Sequence, residues 1–456
     1  MKHRLLGAAL AGCALAAVGA GPPVHTASDQ LWLDVPSETV LPGPGGPAER
    51  TLTVRVSHDN TGSEVAPGRL TVDASEVASF ARVSWPSNCV PESAAKAVCD
   101  FPGMPAGTDL VTAARLGLSA LPDADLTASG YVRYGASAGE LTSFPAETRV
   151  SLGDGPDLGL SQAENQRDLR PGAHTRVSAT LGNSGNRAVL RTLLWFNASY
   201  GLRFDERHSN CEYRRHETGE SALCVLDEAV APGERYALTT GLRVGRNALY
   251  ERFDHSVLPY SDQALAEARG EWTWTPGKGD ELDLRPVVAA RADAGKDDLD
   301  LSDNYRAVVL DAKNTADLRL TGSRVRGAAG DTVTASVSVR NKGPAWVASL
   351  GAGAAVATVP VQAPEGTTIV GVPDECWTPS EEDEPVPTYF CRTPIHLHDG
   401  ASHTMEVRLR TDEVVRGART TVETLNDDPE LPISRFDPDL RNNRAQIVVD
   451  RPDGGR

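Results

Sequence analysis

The 456-residue sequence predicts an all-β chain of three tandem antiparallel sandwiches, on three observations. A period-two alternation of apolar and polar residues returns in three places, cysteines come in three short-range pairs, and helical periodicity is nearly absent. At ~100–200 residues per domain the length fits two to four cores, and an apolar fraction of 40% is enough to fill them. The 62 acidic against 45 basic side chains give a formal net charge of −17. Such a surface repels phosphate backbones and anionic lipid, so no nucleic acid is expected as a partner.

The N-terminus reads as an address. Lys2, His3 and Arg4 precede an apolar stretch from Leu5 to Ala20 that ends in Val18-Gly19-Ala20. This suits a secretory h-region with a cleavage site and falls short of the ~20 residues that a spanning helix needs. Residues 1–20 are therefore expected to be a cleaved signal peptide, with a secreted, extracellular product. A rival reading takes Leu10-Ala11-Gly12-Cys13 as a lipoprotein box, with a lipid anchor at Cys13 and the product held at the cell surface. Against it, cleavage there leaves Ala14 to Ala20 behind as an apolar stub. No other segment has about 18 uninterrupted apolar residues, so no membrane span is expected.

The repeated elements follow in order. Leu52, Val54 and Val56 alternate with Thr51, Thr53 and Arg55; the pattern returns at Val177, Ala179 and Leu181, and at Val333, Ala335, Val337 and Val339. Period two means a half-buried strand. Each strand ends in a polar turn: His58-Asp59-Asn60-Thr61-Gly62, Gly182-Asn183-Ser184-Gly185-Asn186 and Arg340-Asn341-Lys342-Gly343-Pro344. The cysteines come next, as Cys89 and Cys99, Cys211 and Cys224, Cys376 and Cys391. In an exported chain an even set reads as disulfides; other pairings are combinatorially open, and proximity together with the repeat favours near neighbours. Each bridge then closes a loop of about 10 to 15 residues, worth roughly 2.5–3 kcal/mol in the chain-entropy model. Zinc is the other reading of paired thiols, but no C-x2-C knuckle occurs and the pairs lie far apart in sequence.

A glycine turn follows each second cysteine by 8, 9 and 9 residues, in Pro105-Ala106-Gly107, Ala231-Pro232-Gly233 and His398-Asp399-Gly400. A further alternating strand begins after each turn, with Thr112, Ala114, Leu116 and Leu118 in the first copy. The second has Tyr236, Leu238, Leu242 and Val244, and the third Met405, Val407 and Leu409. Two copies open alike, at Asp157-Leu158-Gly159-Leu160 and Asp317-Leu318-Arg319-Leu320. They also close alike, at Asp303-Asn304-Tyr305-Arg306-Ala307-Val308-Val309 and Asn442-Asn443-Arg444-Ala445-Gln446-Ile447-Val448-Val449. These echoes put sandwiches at 28–153, 154–312 and 313–450, with a tail at 451–456. The best helical candidate, Asp262 to Ala268, is one or two turns long. Units of this size exceed the ~100 residues of a minimal immunoglobulin-like domain, and the extra length belongs in loops. The cysteines are too close in sequence to bridge two sheets across a central Trp, so each pair is expected to staple a local loop or hairpin.

A D-L-x-L opening strand, an alternating strand ending in Asn-x-Gly, a short-range cysteine pair, an A-P-G-like turn, another alternating strand and a closing N-N-x-A-x-x-V-V strand stand in a fixed order. This order resembles the bacterial cell-surface Ig-like repeat family catalogued as domain of unknown function number eleven. The resemblance is best over 316–449, covers the ends and the cysteine region of 156–310, and reaches only the middle of 31–152. It implies tandem Ig-like β-sandwich modules with a structural or adhesive role on exported proteins and no active site. Members of that family often end in a wall anchor or a membrane span, and neither is read in this chain.

Four constellations could carry chemistry. Ser137, in Gly135-Ala136-Ser137-Ala138-Gly139, fits the G-x-S-x-G nucleophile pattern, but no helix-forming segment follows, so a hairpin turn is expected. His396, His398 and His403 are close in sequence; the first two share a strand face and could chelate Zn or Cu, but they lack a third ligand. Asp297, Asp298, Asp300 and Asp303, and again Asp427, Asp428, Glu430, Asp437 and Asp439, offer carboxylates that suit either Ca²⁺ or a solvated acidic turn. Trp272 and Trp274 sit two apart on an expected strand, and Trp377 follows Cys376; such aromatics serve as core more often than as a ligand platform. The expected function is that of a secreted, non-enzymatic structural or adhesive protein. The alternative is an extracellular carbohydrate- or polymer-binding accessory protein using Trp272, Trp274 or Trp377. No cofactor and no resident metal is expected, and the partner would be an extracellular protein or glycan.

Overall fold

The computed structural model describes residues 30–46, 49–59, 62–107, 110–288, 298–350, 353–379, 387–426, 428 and 431–452. Residues 1–20, expected as a signal peptide and including Cys13, lie outside the described residues, as do Asp297, Asp427 and Glu430. At about 53% strand and 4% helix the protein is an all-β sandwich. It divides into two compact units: Met1–Thr39, Glu49–Leu118 and Ser129–Val150 contribute the described residues of one, and Val40–Ala48, Ser119–Ala128 and Ser151–Arg456 those of the other.

In the first unit one sheet runs in the order Leu31–Asp34, Arg50–His58, Val111–Ala120, Ala81–Ser84. The other includes Ala146–Gly153, Ser129–Ala138, Gly68–Asp73, Lys96–Phe101 and Cys89–Pro91, in that order. The alternation seen in sequence is the inward face of these strands. Leu52, Val54 and Val56 are buried in one sheet, and Leu70, Val72, Val132 and Tyr134 in the other.

The second unit holds two hydrophobic clusters, each filled from more than one sheet. Around the first cluster, Leu158–Leu160, His174–Asn183, Arg235–Val244 and Leu202–Phe204 form one sheet. Its partner sheet runs Gln166–Leu169, Tyr305–Ala312, Tyr250–Pro259, Thr192–Ser199, Gly219–Leu226, Cys211–His216, Thr275–Pro276. Leu181 and Leu242 from one sheet and Phe196, Phe253 and Val308 from the other share that cluster. Around the second, Leu318–Thr321, Thr332–Asn341, Ser402–Thr411 and Thr367–Gly371 make a sheet whose Val337, Val339 and Val407 pack in one cluster with Val422 and Ile447 of the Arg324–Arg326, Arg444–Asp450, Ala418–Glu423 sheet. In the second unit, Gln166–Leu169 runs parallel beside Tyr305–Ala312 and Arg324–Arg326 parallel beside Arg444–Asp450, in equivalent places.

Each disulfide joins cross-strand neighbours. Cys89 and Cys99, Cys211 and Cys224, and Cys376 and Cys391 are register partners in antiparallel hairpins, with Cα atoms 3.8, 4.0 and 4.0 Å apart. The bridges are hairpin staples and leave the packing between sheets to apolar side chains.

The motifs that punctuate the sequence meet in a knot, built twice. The Asn183 side chain accepts from the Asp157 and Gly185 backbone N–H groups, each at 3.0 Å, and donates to Arg187 O at 2.8 Å and Val230 O at 2.9 Å. Asn341 does the same: it accepts from Asp317 N at 3.3 Å and Gly343 N at 3.1 Å, and donates to Ala345 O at 2.7 Å and Leu397 O at 3.1 Å. The Asn backbone carbonyls in turn accept from the turn glycines, Gly233 at 2.8 Å and Gly400 at 2.9 Å. Glycine is required in both roles. Gly107, Gly233 and Gly400 have φ of 82°, 80° and 78°, which disfavours other residues. A Cβ on Gly343 would lie 2.4 Å from the Ala316 Cα, and one on Gly185 2.3 Å from the Gly155 carbonyl oxygen.

One buried group sets a pH dependence. His255 is 2% exposed on the core-facing side of its strand, and neither ring nitrogen has a hydrogen-bond partner. Burial pushes its pKa down to about 4 from 6.5. A lowered folded-state pKa gives stability that is present above about 6.5 and is lost as pH falls through about 4. Urea unfolding between pH 7 and 4 should show a loss approaching 1.4 kcal/mol per pH unit from this residue. His255→Phe should remove this contribution from the pH profile of stability; a profile unchanged in the variant would refute the assignment.

Candidate functional site

The third cysteine hairpin carries an open aromatic cleft. Cys376–Trp377 pairs with Tyr389–Arg392, which sets Trp377 opposite Phe390. Their ring centroids are 5.6 Å apart at an interplanar angle of 32°, and the Arg392 guanidinium carbon lies 4.0 Å from the Trp377 centroid. Trp377 remains 39% exposed, and Ile395 and Leu425, also exposed, extend the apolar lining of a cleft of about 690 Å³. The disulfide at Cys376 and Cys391 fixes the hairpin beneath it. An aromatic surface beside a stacked cation and bordered by apolar side chains suits a sugar ring or an extended polymer.

The other Trp pair is placed differently from the expectation. Trp272 and Trp274 lie on the irregular segment that follows the helix Asp262–Arg269, not on a strand. The helix starts at Ser261, whose Oγ accepts from Ala264 N at 3.0 Å. At its other end the Trp274 Nε1 donates to the Arg269 carbonyl at 3.1 Å, satisfying one of the acceptors that a helix terminus leaves open. Trp272 is 61% exposed beneath Arg214, whose guanidinium carbon is 3.7 Å from the ring centroid. Trp272 is thus no core residue, and the two indoles do not form a shared strand face.

Ser137 is exposed on the strand Ser129–Ala138, which turns through Gly139 into Leu141–Thr142. Ala138 pairs with Leu141 and Ser137 with Thr142, so the G-x-S-x-G match is a hairpin.

The acidic loops have an internal use. Asp298 Oδ2 accepts from Leu158 N and Asn304 Nδ2, both at 3.2 Å, and its Oδ1 accepts from Asp300 N at 3.1 Å. Asp437 repeats the set with Leu318 N, Asn443 Nδ2 and Asp439 N, each at 3.0 Å. The spaced pattern Asp298-x-Asp300-Leu301-x-x-Asn304, echoed by Asp437-x-Asp439-Leu440-x-x-Asn443, therefore ties each closing strand to its opening strand. Burial pushes the Asp298 pKa up to about 6, while its backbone and amide donors act in the opposite sense. Asp437 is 5% exposed, which departs from a solvated turn.

His396 and His398 come together with an acid that the sequence does not point to. His396 Nε2 is 3.1 Å from Oε1 of Glu217, at the turn of the Cys211–His216 and Gly219–Leu226 hairpin. Candidate ligand atoms of Glu217, His396 and His398 all lie within 4.8 Å of one another. Burial, with help from the neighbouring His396, lowers the His398 pKa. His403 is elsewhere, on the strand Ser402–Thr411, with Nε2 3.4 Å from Glu375 Oε1.

Next to the histidines the two clusters of the second unit are joined by a buried carboxylate. The His398 ring stacks on Trp346 at 5.6 Å and 14° and meets Tyr200 at 4.2 Å. Trp346 Nε1 donates to Glu251 Oε1 at 2.6 Å, and the same oxygen accepts from Leu249 N at 3.0 Å. Glu251 Oε2 accepts from Gly201 N at 2.9 Å and from the Ser199 hydroxyl. Glu251 is 0% exposed. Burial raises its pKa, and the four donors pull it back.

Fold and site together define an all-β sandwich protein with three hairpin disulfides and an aromatic surface cleft. No family model matches the chain, and no curated protein matches it. Among solved structures, the Dpr2 Ig1-Ig2 in complex with DIP-Theta Ig1-Ig3 aligns at 9% identity over 93% of this chain and 100% of that one, with a TM-score of 0.23. FdeC, an Escherichia coli adhesin, aligns at 10% identity over 92% and 96%, with a TM-score of 0.19. The sixth cohesin from scaffoldin B of Acetivibrio cellulolyticus aligns at 15% identity over 27% and 99%, with a TM-score of 0.18. Likenesses at this level assign no function, and the fold rests on the sheets and cores described above. Among the described residues no helix is long and apolar enough to cross a membrane.

Proposed function

We propose that the chain is a secreted, non-enzymatic structural or adhesive protein built from three tandem Ig-like sandwiches, over 28–153, 154–312 and 313–450. Its resemblance over 316–449 to the Ig-like repeat family catalogued as domain of unknown function number eleven belongs to this reading. The observation that carries it is where the chemically suggestive side chains go. Ser137 is spent on a hairpin, and Asp298 and Asp437 bind the chain's own backbone. Three formed disulfides suit an oxidising, extracellular setting. Incubating the mature chain with the surface of its native culture tests the reading: saturable retention that is insensitive to EDTA supports adhesion, and recovery of all the chain in the wash refutes it.

The Trp377 cleft favours a second reading, in which the contact is with a carbohydrate or another extracellular polymer. Trp377→Ala should lower binding on a glycan array by roughly tenfold or more, since a stacked aromatic anchor is worth about 2 kcal/mol. Trp272→Ala, removed from the cleft, should leave it unchanged. Equal binding by the Trp377 variant and the parent would refute the glycan reading.

A further inference from the structure

We propose that Glu217, His396 and His398 form a binding site for a divalent transition metal of the zinc and copper class, with a coordination position left for water or an external ligand. Two imidazoles and one carboxylate are a donor set these ions take, and three protein ligands with a fourth position open is a recurrent arrangement. The three candidate ligand atoms lie within 4.8 Å of one another. Bonds of about 2.0–2.2 Å in a tetrahedron place ligand atoms about 3.3–3.6 Å apart, so closure requires a shift of at most about 1.5 Å. Glu217 can supply that shift, because its side chain is 75% exposed at a hairpin turn.

The histidines are held in place before any ion arrives. They flank Leu397, which is 4% exposed and pairs with Val347, so both imidazoles leave the strand on one side. Their ring centroids are 5.1 Å apart, and Trp346 and Tyr200 pack against His398. A simple ion pair accounts for His396 and Glu217 but leaves a second imidazole crowded beside the first, where two charged rings would repel. Coordination requires both rings neutral and uses both. The Nδ1 atoms of His396 and His398 are buried without a hydrogen-bond partner, a cost that ligation of either ring through that atom removes. The ligands come from sequence positions 179 residues apart, so an ion here would clamp the Cys211–Cys224 hairpin to the segment that leads into Gly400.

The test uses the untagged full-length mature chain, stripped with EDTA and dialysed, then titrated calorimetrically with ZnCl₂ and, separately, CaCl₂. The expected result is uptake of one equivalent of Zn²⁺, little response to Ca²⁺, and a rise in melting temperature on adding Zn²⁺. Glu217→Gln, at an exposed turn, should keep the metal-free melting temperature and weaken Zn²⁺ binding by at least about tenfold. His398→Asn should abolish the thermal shift, and His403→Asn should change neither readout. No uptake with Zn²⁺ in large excess, or uptake left unchanged by Glu217→Gln and His398→Asn alike, would overturn the proposal.

Discussion

Glu251→Ala is expected to destabilise the chain by about 3–5 kcal/mol, read as a fall in the urea midpoint with an unchanged m-value. The physical reason is that the variant deletes one acceptor group and strands four donors. Leu249 N, Gly201 N, the Ser199 hydroxyl and Trp346 Nε1 all end on this carboxylate in a place closed to water. Each donor left without a partner costs on the order of 1–3 kcal/mol, reduced where relaxation admits water. Glu251→Gln separates charge from shape. Its amide nitrogen cannot accept, so two of the four donors face an N–H₂ group, and a cost of about 2 kcal/mol is expected. Trp346→Phe keeps most of the packing and removes one donor, and a double-mutant cycle with Glu251→Gln should show coupling of about 1 kcal/mol or more. A Glu251→Ala variant as stable as the parent would show that the buried carboxylate does not hold the two clusters together.

Asn341→Ala comes second, at about 3–4 kcal/mol. This side chain is 0% exposed and makes four hydrogen bonds, two accepted and two donated, all with backbone groups. Truncation leaves the Asp317 and Gly343 N–H groups and the Ala345 and Leu397 carbonyls without their partner in the interior. Hydrogen exchange supplies a local readout: the Asp317 and Gly343 amides should lose protection well beyond the global change in stability. Asn183→Ala removes the equivalent four bonds and should fall in the same range. A loss below about 1 kcal/mol at both positions would mean that water replaces these bonds at little cost.

The sequence reveals these features unequally, and the reason is the range over which each interaction acts. The alternation of Leu52, Val54 and Val56 is local and reports directly on a strand with one buried face. The cysteine pairs are also local, since register neighbours in a short hairpin are close in sequence. The Asn-x-Gly turns, the Asp-Leu openings and the glycine turns are each visible as punctuation. That they converge on one amide is not visible, because Asn183 finds Asp157 26 residues away and Val230 47 residues away. The Trp272 and Trp274 spacing misleads, since a two-residue interval fits a strand and also fits a chain leaving a helix whose last carbonyl needs an indole donor. Glu217 has no local signal at all. It is one acid among 62, and only the packing of its hairpin against the segment carrying His396 singles it out.

The hairpin position of the three disulfides has a mechanical consequence. Each bridge spans a sequence separation of 10, 13 or 15 residues and connects strands already adjacent, so under tension applied through the chain ends the enclosed residues are bypassed. Contour length on the order of 130 Å, at about 3.5 Å per residue, stays locked when the sheets are pulled apart and is released only after reduction. In the proposed adhesive role the chain would thus yield in shorter steps than its length implies, with the aromatic cleft at Trp377 resting on one of the locked loops.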